Sequence, residues 1–122
     1  MGKILVTDDD KIGRKMAQMM LTKLGYEPEM AESGEQCIEL LKANAASYDL
    51  LLLDVEMPGM NGIETLKKIR SESDIADIKV MLLSGTDDMD EYLSDGELKL
   101  LGYVQKPFVP ANMKQAIDKA LS

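Results

Sequence analysis

Several polar residues of this chain stand where a short apolar run ends. Asp8 and Asp9 follow Ile4-Leu5-Val6, and Asp54 follows Leu50-Leu51-Leu52-Leu53. Ser84 follows the run from Ile78 to Leu83, and Lys106 follows Leu101 to Val104. If these runs are parallel strands in the order 2-1-3-4-5, strands one and three are neighbours and Asp8, Asp9 and Asp54 converge. Three carboxylates in one crevice repel each other and raise their own pKa values unless a cation joins them. The candidates are a hard metal ion and the ammonium of Lys106. Mg²⁺ favours one or two carboxylates, several waters and a phosphate oxygen. The cluster therefore predicts metal-assisted phosphoryl transfer.

Each residue also has a plainer reading. Acidic residues ahead of a helix are often caps or dipole partners, and Asp10 is assigned that role or simple solvation. Ser84 alone carries no information, and Lys106 before Pro107 alone is a surface lysine. Tyr103 on an apolar strand is ordinarily core. An apolar run ending in Asp54 and followed by Met57-Pro58-Gly59, however, is a poor place for a merely solvated carboxylate.

The elements that hold these positions alternate. After the first run, Ile12, Met16, Met19, Met20 and Leu24 share one helical face, with Gly25 as the closing residue. A weak strand spans Pro28 to Ala31. Ser33 and Gln36 predict a capping box for a helix with Cys37, Ile38, Leu40 and Leu41 inward. The four-leucine run suits a strand covered on both faces. Asn61 and Glu64 predict a second capping box, with Ile63, Leu66 and Ile69 continuing that helix. A short helix falls within Asp87 to Leu98, and a last helix carries Met113, Ala116, Ile117, Ala120 and Leu121. Five strands alternating with five helices predict a doubly wound parallel sheet in a three-layer α/β sandwich. In such sheets chemistry gathers at the carboxyl ends of the strands.

A chain of 122 residues is read as one domain, residues 1–122. Hydrophobic residues make up 45% and charged residues 30%, a globular balance. The net charge of −8, from 14 basic and 22 acidic residues, argues against direct nucleic-acid binding and against anionic membranes. No apolar run approaches the ~20 residues of a spanning helix. One cysteine, Cys37, cannot form an intramolecular disulfide and fits a reducing, cytoplasmic setting. The absence of histidine excludes a Ser-His-Asp triad, a His-ligated zinc and a phosphohistidine carrier. The ten methionines read as gap-filling core residues.

The segments ILVTDDD (4–10), LLLDVEMPGMNGIE (51–64), MLLSG (81–85) and YVQKPF (103–108) resemble the signatures of response-regulator receiver domains of bacterial two-component systems. The resemblance spans essentially the whole chain. It brings the strand order 2-1-3-4-5 and the flavodoxin-like fold with it. It implies that Asp54 accepts a phosphoryl group, and that Asp9 ligates Mg²⁺ directly with Asp8 helping through a water. The Glu56 carbonyl would be a further ligand. Lys106 would pair with Asp54 and then with the phosphoryl group, which Ser84 would bind by its hydroxyl. Tyr103 would swing inward as a switch, and the Lys106–Pro107 bond would be cis.

Such a chain is a binding module that catalyses only its own phosphorylation and dephosphorylation, not an enzyme acting on others. A histidine kinase or a phosphotransfer protein would supply the phosphoryl group, and a downstream protein would read it. The acids from Asp87 to Glu97 fall where receivers present their output surface. Met113, Ile117 and Leu121 serve either the core or a homodimer formed on activation. Three departures stand out. Ser84 replaces the common threonine, Gly85 leaves the site open, and Asp95 to Gly102 replaces a small-residue stretch. Glu56 brings an extra carboxylate close to the site.

Competing readings remain open. A haloacid-dehalogenase-like phosphatase would need a second aspartate two residues after the first, where Glu56 stands. A flavodoxin-like cofactor carrier lacks its phosphate-cradling loop after the first strand. A pseudo-receiver that signals without phosphorylation keeps the fold. A receiver excised from a hybrid kinase or transcription factor fits equally, although the opening Met1-Gly2 leans towards a stand-alone chain.

Overall fold

The computed structural model describes residues 2–57 and 59–122; Met1 and Pro58, both read in the sequence, lie outside the described residues. Strand β1 is Lys3–Thr7, β2 Glu27–Ala31, β3 Leu50–Asp54, β4 Val80–Ser84 and β5 Leu100–Gln105. Between and after them run helices α1 (Lys11–Lys23), α2 (Gly34–Asn44), α3 (Gly62–Ser71), α4 (Asp90–Leu93) and α5 (Pro110–Leu121). Among the described residues the strands form one parallel sheet in the order β2-β1-β3-β4-β5. The expected doubly wound, flavodoxin-like arrangement is borne out.

The two-residue period of the strands divides the core. Ile4, Val6, Leu50, Leu52, Met81 and Leu83 face α1 and α5. Leu5, Leu51, Leu53, Val80 and Leu82 face α2, α3 and α4. The leucines of β3 are completely buried, which accounts for their unbroken apolar run; each such side chain contributes about 1.5–3 kcal/mol over exposure. The weak strand β2 lies at a sheet edge, where Pro28 is tolerated because the edge leaves an amide unneeded.

Local signals place most helix ends. Asp10 caps α1 by accepting from the Ile12 and Gly13 amides. Gly25, with φ +94°, stands just past the end of α1, and its amide donates to the Thr22 carbonyl. Asn61 and Glu64 form the full reciprocal capping box of α3. The Ser33 box is only half formed. Its hydroxyl accepts from the Gln36 amide, but Gln36 turns back to the Glu32 amide instead of the Ser33 amide.

The apolar face expected for α1 needs correction. Ile12, Met16 and Met19 are 69%, 50% and 59% exposed, while Ala17 and Leu21 are buried with Met20 and Leu24 packed beside them. Both stripes have helical spacing, and small Ala17 lets the helix approach the sheet closely. The methionines are accordingly not all core residues. Met113 and Ile117 are fully buried, so they serve the core and not a dimer face. Strand β4 starts at Val80 and not at Ile78, whose amide closes a turn onto the Ile75 carbonyl. Helix α4 is a single turn within the expected stretch. In β5, Leu101 and Gly102 together oppose Met81, a bulge that Gly102 accommodates at φ +151°.

Candidate functional site

Sheet register gathers the site. Thr7 pairs with Leu53 and Asp54 with Leu83, so Asp8, Asp54 and Ser84 leave neighbouring strands at one level. Ser84 pairs with Gln105, and the Lys106 amide donates to the Ser84 carbonyl at 2.7 Å. The chain then turns through a cis Lys106–Pro107 bond, as the family resemblance implies.

One carboxylate oxygen from each of Asp8, Asp9 and Asp54 lies within 4.8 Å of the other two. Asp8 and Asp54 are buried, at 1% and 5% exposure, and Asp9 is exposed at the rim. Lys106 Nζ reaches Asp54 Oδ2 at 3.0 Å and Asp8 Oδ2 at 3.1 Å. The remaining oxygens are also held: the Asp10 amide donates to Asp8 Oδ1 at 3.0 Å, and the Glu56 amide to Asp54 Oδ1 at 3.1 Å.

Charge decides what this cluster can take. Burial pushes the Asp54 carboxyl up to about 6; Lys106 pulls it down, and Asp8 adds to the rise. For Lys106, burial disfavours the charge, yet bonds to Asp54 and Asp8 leave its pKa above the ordinary value. One ammonium offsets only one of three carboxylates. The donors are hard oxygens from two buried carboxylates and one exposed carboxylate. That donor set fits a divalent cation of the Mg²⁺ kind.

The other expected residues fall around this centre. Ser84 is buried, and its Oγ accepts from the Thr86 amide at 3.1 Å. Glu56 stands two residues beyond Asp54 with its side chain exposed, so its carboxylate is not one of the three that converge. Tyr103 is partly buried on β5 and packs against the core between the sheet and α2–α4. Asp10 is the helix cap already described. Cys37 is a buried small residue whose thiol burial pushes up to about 11.

Two contributors escaped the sequence reading. Arg14 Nη1 donates to the Asp8 carbonyl at 2.9 Å while Nη2 pairs with Glu32 at 3.3 Å, tying the β1 and β2 ends together. An arginine in the first turn after an acidic run was the available signal. Gly62 lies so close to β3 that a Cβ would collide with the Asp54 carbonyl and the Val55 backbone. Its amide donates to the Val55 carbonyl at 3.0 Å, closing the Asp54 loop.

Comparison with known proteins agrees with this geometry. The family model described as response regulator receiver domain matches residues 4–118. The chain is 33% identical to the chemotaxis protein CheY1 of Helicobacter pylori, covering 98% of this chain and 96% of that one. It is 35% identical to the probable transcriptional regulator ycf27 of Cyanidium caldarium, covering 97% of this chain but 45% of the relative. The crystallised chemotaxis protein CheY4 of Vibrio cholerae superposes with a TM-score of 0.84 at 30% identity, covering 99% of both chains. The phosphatase and cofactor-carrier readings give way to this match. The chain belongs to the response regulator receiver domains, the modules of two-component phosphorelay signalling.

Proposed function

We propose that Asp54 is the phosphoryl acceptor of this receiver, and that its phosphorylation depends on Mg²⁺ held by Asp8, Asp9 and Asp54 with the Glu56 carbonyl. The observation that carries the reading is the convergence of three carboxylates, two of them bonded to one lysine, at strand ends drawn from β1, β3 and β5. An Asp54 carboxylate oxygen attacks phosphorus, the donor's leaving group departs with its electron pair, and an acyl phosphate forms. Mg²⁺, when bound, offsets the charge of the phosphoryl oxygens. Lys106 moves its hydrogen bond from the carboxylate to the incoming group, and the Ser84 hydroxyl donates to another of its oxygens. Positioning and charge stabilisation are the whole of the catalysis. The chain is in this sense not an enzyme towards other molecules.

The phosphoryl donor is a histidine kinase or a phosphotransfer protein, and the output is altered binding to a downstream protein. Ser84 and Tyr103 couple the site to that surface by shifting a pre-existing equilibrium. Asp87, Asp88, Asp90, Glu91, Asp95 and Glu97 are all exposed around α4, which favours a partner with a basic contact patch. The buried single thiol Cys37 suits a cytoplasmic setting.

Beryllofluoride binding followed by ¹⁹F NMR tests the acceptor. A bound signal that requires Mg²⁺ and disappears in Asp54→Asn is expected. A bound signal that survives in Asp54→Asn would remove Asp54 from the role.

A further inference from the structure

We infer that Gly13 is a positioning residue for the metal site, leaving open the space that the Asp8 carboxylate occupies. The inference rests on the phosphoryl-acceptor reading above, because it concerns the same carboxylates. Glycine is the poorest helix former after proline, yet Gly13 lies in the first turn of α1. It is not one of the positive-φ glycines, so backbone conformation does not require it.

What requires it is the space beyond its Cα. A Cβ there would stand 2.6 Å from Asp8 Oδ2 and 3.4 Å from Asp8 Cγ and Asp10 Oδ2. Close helix–sheet packing would instead put backbone or apolar side chains against the missing atom. The three nearest atoms all belong to carboxylates.

A carboxylate tip can usually swing away from an approaching methyl group. The Asp8 side chain is held on both oxygens, by the Asp10 amide at 3.0 Å and Lys106 Nζ at 3.1 Å. Its backbone is held as well: the carbonyl accepts from Arg14 at 2.9 Å, and the amide donates to the Ala31 carbonyl at 3.2 Å. With the main chain tied and only 1% of the residue exposed, a methyl group at position 13 displaces Oδ2. That oxygen is the one bonded to Lys106, whose ammonium also bonds Asp54 Oδ2.

The test compares wild type with Gly13→Ala and Gly13→Ser, reading Mn²⁺ affinity by electron paramagnetic resonance and the metal-free thermal midpoint by calorimetry. Gly13→Ala is expected to bind Mn²⁺ about tenfold more weakly, the lower end of what a displaced supporting contact costs a metal site. The Mg²⁺ concentration for half-maximal phosphorylation by acetyl phosphate rises by the same factor, more than the rate at saturating Mg²⁺ changes. The metal-free midpoint stays close to that of wild type, because alanine's gain as a helix former offsets the strained Asp8–Lys106 contact. Unchanged Mn²⁺ affinity in both variants overturns the inference. So does a fall of the midpoint alongside the affinity, which would make Gly13 a packing residue. Wild type that binds neither Mn²⁺ nor Mg²⁺ would overturn the metal-site reading itself, and this inference with it.

Discussion

Lys106 Nζ lies 3.0 Å from Asp54 Oδ2, a contact that joins residues 52 positions apart across two strand ends. The same ammonium is 3.1 Å from Asp8 Oδ2, so one cation holds two buried carboxylates. Removing it leaves them facing each other. Lys106→Met is expected to lower metal-free stability at pH 7 by about 1–3 kcal/mol, less than a fully buried pair because Lys106 keeps contact with water. Urea unfolding at pH 7 and pH 5 checks this. The loss shrinks at pH 5, where Asp54 takes up a proton; an equal loss at both values would mean that Lys106 acts by packing and not by charge.

Asp54 itself is costly to the metal-free fold at neutral pH. Burial raises its carboxyl from 3.8 to about 6 despite Lys106. The folded chain therefore binds this proton more tightly than the unfolded chain does. Its contribution to stability is lost as pH rises from about 4 through about 6. Asp54→Asn, which carries no titrating charge, is expected to be more stable than wild type by about 1–3 kcal/mol at pH 7. The gain fades as pH falls towards 4. Thermal or urea unfolding across this range measures it, and a gain independent of pH would contradict the stated cause.

Gly62 carries a different constraint. A Cβ at this position meets the Asp54 carbonyl and the Val55 backbone, atoms that cannot rotate away. Gly62→Ala should cost about 1–3 kcal/mol or more, as overpacking against fixed backbone does. It should also disturb the Asp54 loop, so beryllofluoride binding weakens along with stability. A fully stable Gly62→Ala with normal binding would show that the loop has freedom to spare.

Arg70 staples the opposite end of the sheet. Its guanidinium donates to four backbone carbonyls, those of Leu98 (2.8 Å), Ala76 (2.7 Å), Ile78 (2.7 Å) and Lys99 (3.2 Å). These fix both the approach to β4 and the turn into β5, where Lys99 sits at φ +53°. Arg70→Met is expected to destabilise by about 2–4 kcal/mol, since partly buried carbonyls lose their donors. Arg70→Lys recovers little of this, because an ammonium cannot reproduce the planar fork. Hydrogen exchange should quicken first at Leu100 and its β4 neighbours. Uniform quickening across all strands would argue against a local staple.

The residues at the strand ends were legible because each ended an apolar run, and parallel register then brings strand ends to one level. Asp8, Asp9, Asp54, Ser84 and Lys106 meet for that reason. The Asn61 box was equally legible, since its two partners lie three residues apart and need only each other. Ser33 and Gln36 have the same spacing, but the Gln36 side chain also reaches the Glu32 amide, and that competitor wins. Periodicity could not choose between the two stripes of α1, because both repeat with the helix and only tertiary packing selects Ala17 and Leu21. Arg70 gave no signal: its partners are backbone carbonyls 6 to 29 residues away, which have no side-chain identity to read.

The most direct measurement is intact-mass spectrometry after incubation with acetyl phosphate, with and without Mg²⁺, on wild type and Asp54→Asn. A single added phosphoryl group that requires Mg²⁺ and is absent from Asp54→Asn is the expected result. An adduct on Asp54→Asn, or one that forms equally well without Mg²⁺, would contradict the assignment of Asp54 as a metal-dependent acceptor.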